Sequence, residues 1–196
     1  MKRTIIAVAL LAFLMQGCIV LSVHPFYTQD DIVYRKQLEG NWTDQEGHAW
    51  RIHQNPFKPN TYELHSSKNG RDVSLLGVLF KLNDEMYLDM VPLQDNSEEF
   101  LVFDMHMVPT HSIAKVATLN DKEISIKWFN EEWLRKMFTE NRIRISHEVM
   151  MDQNPKSDDD GMYLLTASTE ELQGFIKKYG RSEDAYDDNL KLRLTK

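Results

Sequence analysis

From Trp42 onward, apolar and polar positions alternate with a period of two over short runs separated by turn residues. This is the pattern of strands with one face inward and one outward. Trp50 and Ile52 share a face against Arg51 and His53, and Tyr62 and Leu64 oppose Glu63 and His65. Val73 to Leu82 is apolar almost throughout, which predicts a long strand covered on both faces or bulged at Gly77. Met86 to Val91 follows a turn at Asn83-Asp84-Glu85, and Leu101, Phe103, Met105 and Met107 share a face. Ile113 to Leu119 leads into a turn at Asn120-Asp121-Lys122, after which Ile124, Ile126 and Trp128 share a face. Ile143, Ile145, His147 and Val149 alternate with Arg142, Arg144, Ser146 and Glu148. Met162 to Ala167 and Leu190, Leu192 and Leu194 complete the set. Roughly ten short strands predict a mainly β fold, an antiparallel sheet closed into a barrel, a closed meander or a sandwich.

The period changes to that of a helix in two places. Asn130 is placed to cap a helix whose first turn carries Glu131 and Glu132, with Trp133, Leu134, Met137 and Phe138 as its apolar stripe. Ser168-Thr169-Glu170-Glu171 reads as a capping box. Leu172, Phe175, Ile176 and Tyr179 then fall on one face, and Gly180 ends the helix after Lys177-Lys178. Each stripe must be buried across a barrel end or on one sheet face.

The first eighteen residues obey neither period. Lys2 and Arg3 precede an unbroken apolar run from Ile5 to Met15, then Gln16-Gly17 and Cys18, the protein's single cysteine. This is the layout of a secretory signal. Leu14-Met15-Gln16-Gly17-Cys18 resembles the lipobox of bacterial lipoproteins, with Met15 in place of the usual Leu and a small residue before the cysteine. The resemblance implies that Cys18 carries a diacylglyceryl group, that the leader is cut before it, and that the new amino group is acylated. It divides the chain into a signal peptide at 1–17, a lipidated anchor and lead-in at 18–37, and one β-rich domain at 38–196. The competing readings are a secreted protein with an incidental thiol, and an uncleaved anchor helix over Ile5 to Val23, near the ~20 residues needed to span a bilayer.

Two further resemblances follow. The run from His24 to Trp42, with His24-Pro25-Phe26-Tyr27-Thr28 and Leu38-Glu39-Gly40-Asn41-Trp42, looks like the start of small bacterial envelope lipoproteins of unassigned function. Gly40-x-Trp42 is similar to the Gly-x-Trp signature on the first strand of lipocalin-like barrels. In that family the Trp plugs the closed end and an Arg near the last strand lies over it, a part open here to Arg142, Arg144 or Arg193. Ile19 after the anchor is not Asp, which by analogy with Gram-negative sorting implies the outer membrane, facing the periplasm.

Composition narrows the partners. The full chain has 196 residues and a formal charge of −7; loss of the leader, with two basic and no acidic side chains, makes it −9. Nucleic acid is therefore not an expected partner, since phosphate binding needs clustered Lys and Arg. A polybasic hold on anionic lipid is equally unsupported, which leaves the lipid on Cys18 as the membrane partner. With one cysteine, no intramolecular disulfide forms.

The candidate chemistry is sparse. No two of the seven histidines have the spacing of a helical zinc site or the i, i+2 spacing of a strand site, although a site assembled from separate strands stays open. His147 falls between Ile145 and Val149 on an apolar face, where a hydrogen-bonded core histidine is the expected reading. Asp158-Asp159-Asp160-Gly161 lacks the spacing of a calcium loop and reads as a solvated turn. There is no nucleophile elbow and no glycine-rich phosphate loop, so neither catalytic residues nor a cofactor are expected. Trp42, Tyr62, Phe103, Met105, Trp128 and His147 are candidates to line a pocket for an apolar small ligand. The expected function is a non-catalytic binding or envelope-maintenance module. The alternatives are an envelope hydrolase whose His/carboxylate site assembles only in the fold, and a structural partner of an envelope complex.

Overall fold

A computed structural model describes residues 19–68, 71–93, 108–151 and 161–195. Residues 1–18, the run from Leu101 to Met107 and the acidic run Asp158-Asp159-Asp160 lie outside the described residues. Seven strands follow one another as antiparallel neighbours: β2 (Gly40–Thr43), β3 (Ala49–Gln54), β4 (Tyr62–Lys68), β5 (Arg71–Leu82), β6 (Glu85–Pro92), β7 (His111–Leu119) and β8 (Glu123–Phe129). An eighth, β11 (Tyr186–Leu194), lies between β8 and β2 and closes the ring. The result is an eight-strand antiparallel barrel with two helices, in line with the expected mainly β, lipocalin-like architecture. Inward positions are those that alternation assigns: Ile52, Tyr62, Leu64, Ile124, Ile126 and Leu192 are buried in one cluster around Trp42.

The length of β5 has a specific cause. Leu79 faces the barrel interior while Phe80 and Leu82 face a second core outside the wall, so both sides of the strand are covered. Gly77 makes no bulge; it pairs regularly with Tyr62 and Met90. It is glycine because a Cβ there would lie 2.5 Å from Leu64 Cδ1. The β5–β6 hairpin turns on Asn83 and Asp84 with φ of 50° and 65°, the left-handed pair that suits a tight hairpin.

Both helices pack on the outside of the barrel. Helix α1 (Glu131–Thr139) is capped by Asn130 Oδ1, which accepts from the Trp133 N–H at 2.6 Å. Helix α2 (Thr169–Tyr179) has the expected capping box between Ser168 and Glu171. Their stripes meet the outer wall in the second core, with Leu134, Met137, Leu172, Phe175 and Ile176 against Phe80, Tyr87 and Phe129. Three short strands extend the sheet beyond β7: β1 (Leu21–Ser22), then β10 (Gly161–Leu165) and β9 (His147–Met151). β1 and β10 run parallel, the exception in an otherwise antiparallel sheet.

Two expectations change in detail. Ile143 and Ile145 are buried but not in a strand, which begins only at His147. The N–H groups of Arg142 and Ile143 donate to Met137 O at the end of α1, so this stretch terminates the helix instead of pairing. Gly180 does end α2, but with φ −65°, so no left-handed backbone explains it. A Cβ there would sit 2.6 Å from Ile176 O. Its carbonyl accepts from Lys115 Nζ at 3.2 Å and Tyr186 Oη at 2.8 Å, tying the negative end of α2 to the barrel.

Candidate functional site

The sequence-derived pocket residues do not gather in one place. Trp42 and Tyr62 are fully buried inside the barrel, and Trp128 packs against the same cluster. Gly40 has φ +153°, and a Cβ there would lie 3.0 Å from Leu194 Cδ1 and 3.2 Å from Trp42 Nε1, so the backbone runs close over the ring. The Trp42 Nε1–H donates to Leu38 O at 3.1 Å. Leu194 is its cross-strand neighbour, while Arg193 is exposed opposite Thr43, and Arg142 and Arg144 follow α1. The Tyr62 hydroxyl accepts from Arg35 N–H at 2.7 Å and donates to Arg35 O at 3.1 Å. Burial and the nearby Glu39 raise its pKa. The lead-in thus crosses the barrel end, and Leu38 drops into it. His147 lies elsewhere, on β9, stacked 3.8 Å from Phe138 with Nδ1 2.9 Å from Ile145 O. Phe103 and Met105 are outside the described residues.

A second polar group ties the start of the chain to the wall. Asp89, on β6, is 1% exposed and points into the outer core. Its Oδ2 accepts from the Phe26 N–H at 3.0 Å and its Oδ1 meets His111 Nδ1 at 2.7 Å. The histidine is opposite Ser22 in the β1–β7 pair, yet Ser22 Oγ is buried and donates to Leu165 O. The group has the composition of a nucleophile triad, but its hydroxyl is sealed and committed.

Glu131 is a residue whose setting the sequence did not disclose. Read as a helix-start carboxylate, it is 3% exposed, with Oε2 buried and unpaired. Burial raises its pKa above the ordinary 4.5, against the Tyr163 N–H and Arg135. A raised folded-state pKa favours the protonated fold, so stability falls as pH climbs from 4.5 through the raised value and the penalty is complete above it. Glu131→Gln should therefore raise stability at pH 7 by about 1 kcal/mol and give no gain near pH 4, read from urea midpoints at the two pH values. Equal gains at both would show that ionisation is not the cause.

The third arrangement is the one with room for chemistry. β3 and β4 pair so that His53 stands opposite Glu63 and Arg51 opposite His65, all on the outer face of the wall. His53 Nε2 lies 3.2 Å and His65 Nε2 3.3 Å from the same oxygen, Glu63 Oε2. The two rings are nearly parallel, with centroids 5.2 Å apart. Glu63 Oε1 accepts from Asn55 Nδ2 at 2.8 Å. That amide is fixed in orientation, because Asn55 Oδ1 already accepts from the Phe57 and Lys58 N–H groups at 2.8 and 2.7 Å. Ser74 Oγ, from β5, is 2.9 Å from His65 Nδ1. His65 and Ser74 also border an open cleft of about 500 Å³ that reaches Trp50, Arg51 and Asp72. His53, Glu63 and His65 are the group with a donor set suited to a metal among the described residues.

Sequence reading missed the cluster because it looked for paired histidines. The legible signal was Glu63-x-His65 on one strand face with His53 on the outward face of the strand before it. Comparison with protein-family models, with curated proteins and with solved structures gave no match.

Proposed function

We propose that this is a lipid-anchored protein of the bacterial envelope, held through Cys18 and acting as a binding or envelope-maintenance module through its outer surface. The observation that carries the reading is how soon the chain enters the fold. Ile19 bridges to Asn130, Val20 is 2% exposed and Leu21–Ser22 is paired on both sides. A lipid on the preceding residue would leave the domain directly on the bilayer surface. Leu21 and Leu164 are neighbours, as are Met150 and Met162, and with the exposed Ile19 they give that sheet face an apolar character suited to contact with lipid. The sheet pairing of Leu21–Ser22 supports this reading over an uncleaved anchor helix reaching Val23. Ile5 to Cys18 alone is shorter than the ~20 residues a spanning helix needs.

The barrel interior around Trp42 and Tyr62 is occupied by side chains, which favours recognition on the outside of the wall. One observation favours the hydrolase alternative: imidazoles and a carboxylate converge within hydrogen-bond reach beside an open cleft.

The anchor is tested by expression in a Gram-negative host with labelled palmitate. The full chain should take up label and sediment with outer membranes, and Cys18→Ser should lose both properties. A Cys18→Ser protein that still fractionates with membranes would remove the proposal.

A further inference from the structure

We propose that His53, Glu63 and His65 form a binding site for a divalent transition-metal ion of the zinc class on the outer wall of the barrel. The proposal rests on the side chains of β3 and β4 and not on the Cys18 anchor.

Donor type comes first. Two imidazole nitrogens and one carboxylate oxygen are a borderline donor set, matched to zinc-like ions and unlike the all-oxygen shells of calcium or magnesium. Geometry agrees. Metal–ligand bonds of about 2.0–2.1 Å at tetrahedral angles put neighbouring ligand atoms about 3.3 Å apart. The two Nε2–Oε2 separations are 3.2 and 3.3 Å. The third edge, between the two imidazole donor atoms, is within 4.8 Å and is the one that binding would shorten.

The surroundings orient the ligands as second-shell partners do in metal sites. Asn55 occupies Oε1 of Glu63 and leaves Oε2 toward the imidazoles. Ser74 Oγ lies 2.9 Å from Nδ1 of His65, and coordination through Nε2 would set the tautomer in which Nδ1–H donates to that hydroxyl. A purely hydrogen-bonded cluster would put both Nε2–H groups on one carboxylate oxygen, an arrangement that a bound ion would replace with bonds to the same three atoms. Three protein ligands leave a coordination position open, and with His53 43% exposed it faces solvent near the cleft. An exchangeable water or a small anionic group, which Arg51 on the same face would favour, is the expected fourth ligand.

The test titrates the purified protein with Zn²⁺ against a chromophoric chelator and with Co²⁺ by visible absorption, after metal removal. One equivalent of Zn²⁺ is expected, with the intense d–d bands of four-coordinate Co²⁺. His53→Ala, His65→Ala and Glu63→Gln should each abolish the bands and the equivalent. Ser74→Ala should keep one equivalent but weaken it about 10-fold or more. His48→Ala is the control, because His48 lies 3.1 Å from Asp44 in a separate acidic turn, and it should bind as the parent does. Circular dichroism and urea midpoints confirm that each variant is folded. The proposal is overturned if the parent binds no more Zn²⁺ than the His53→Ala/His65→Ala double variant. It is equally overturned if binding follows His48, or if the Co²⁺ spectrum shows only solvated octahedral ion.

Discussion

Trp42→Ala is expected to lower stability by about 3–5 kcal/mol, the range for emptying a large aromatic from a packed core. The indole is 1% exposed at the centre of the barrel cluster, and its Nε1–H is bonded to Leu38 O. Truncation removes both the packing and the donor, and the surrounding strands cannot collapse because the barrel is closed on itself. At about 2–4 °C per kcal/mol for a domain of this size, the melting temperature should fall by roughly 10 °C. Trp42→Phe, which keeps most of the volume, should lose less than half as much. The experiment also addresses the barrel interior: free indole should stabilise Trp42→Ala and leave the parent unchanged. A parent protein stabilised equally by indole would mean that the barrel is hollow enough to hold a ligand already.

The next largest effect is expected from Asp89→Ala, about 2–4 kcal/mol. One carboxylate meets a buried donor, the Phe26 N–H at 3.0 Å, and a part-buried one, His111 Nδ1 at 2.7 Å. Each is left without an acceptor when it is removed, at about 1–3 kcal/mol apiece. The loss should be uneven along the chain, because the contact joins the lead-in to β6. Hydrogen exchange around Phe26 should rise more than exchange in β3 and β4. Asp89→Asn keeps one acceptor oxygen and should recover part of the loss. A change below 1 kcal/mol in Asp89→Ala would show that the pair contributes nothing to the fold, and would reopen a chemical role for it.

The apolar pattern made much of the architecture legible. Trp50 with Ile52, Tyr62 with Leu64, and Ile124 with Ile126 do face one interior, and both helices start at the residues whose side chains cap them. The pattern was less informative where a residue serves a neighbour outside its own element. Ile143 and Ile145 alternate as a strand does, yet their segment is spent on closing α1. Gly180 does end α2, and of the two readings of the long strand the covered one holds while no bulge forms at Gly77; at both glycines a Cβ would press on neighbouring atoms. Glu131 reads as a helix-start carboxylate, and β10 passes beside it, where the Tyr163 N–H meets its Oε1.

The same division runs through the site. Alternation alone puts His53 on the face opposite Ile52, and Glu63 and His65 on the face opposite Leu64. It does not say which residue of β3 stands beside which residue of β4. That register is fixed by the connection at 55–61, where Asn55 N–H closes onto Thr61 O and Asn60 takes φ 61°. A slip of one residue would turn the cluster to the opposite face of the sheet. The sequence by itself therefore determined the strand faces and the helix starts, because those depend on near neighbours along the chain. Only the tertiary structure decided that two imidazoles share one carboxylate oxygen, because cross-strand register is set by backbone pairing between residues distant in sequence.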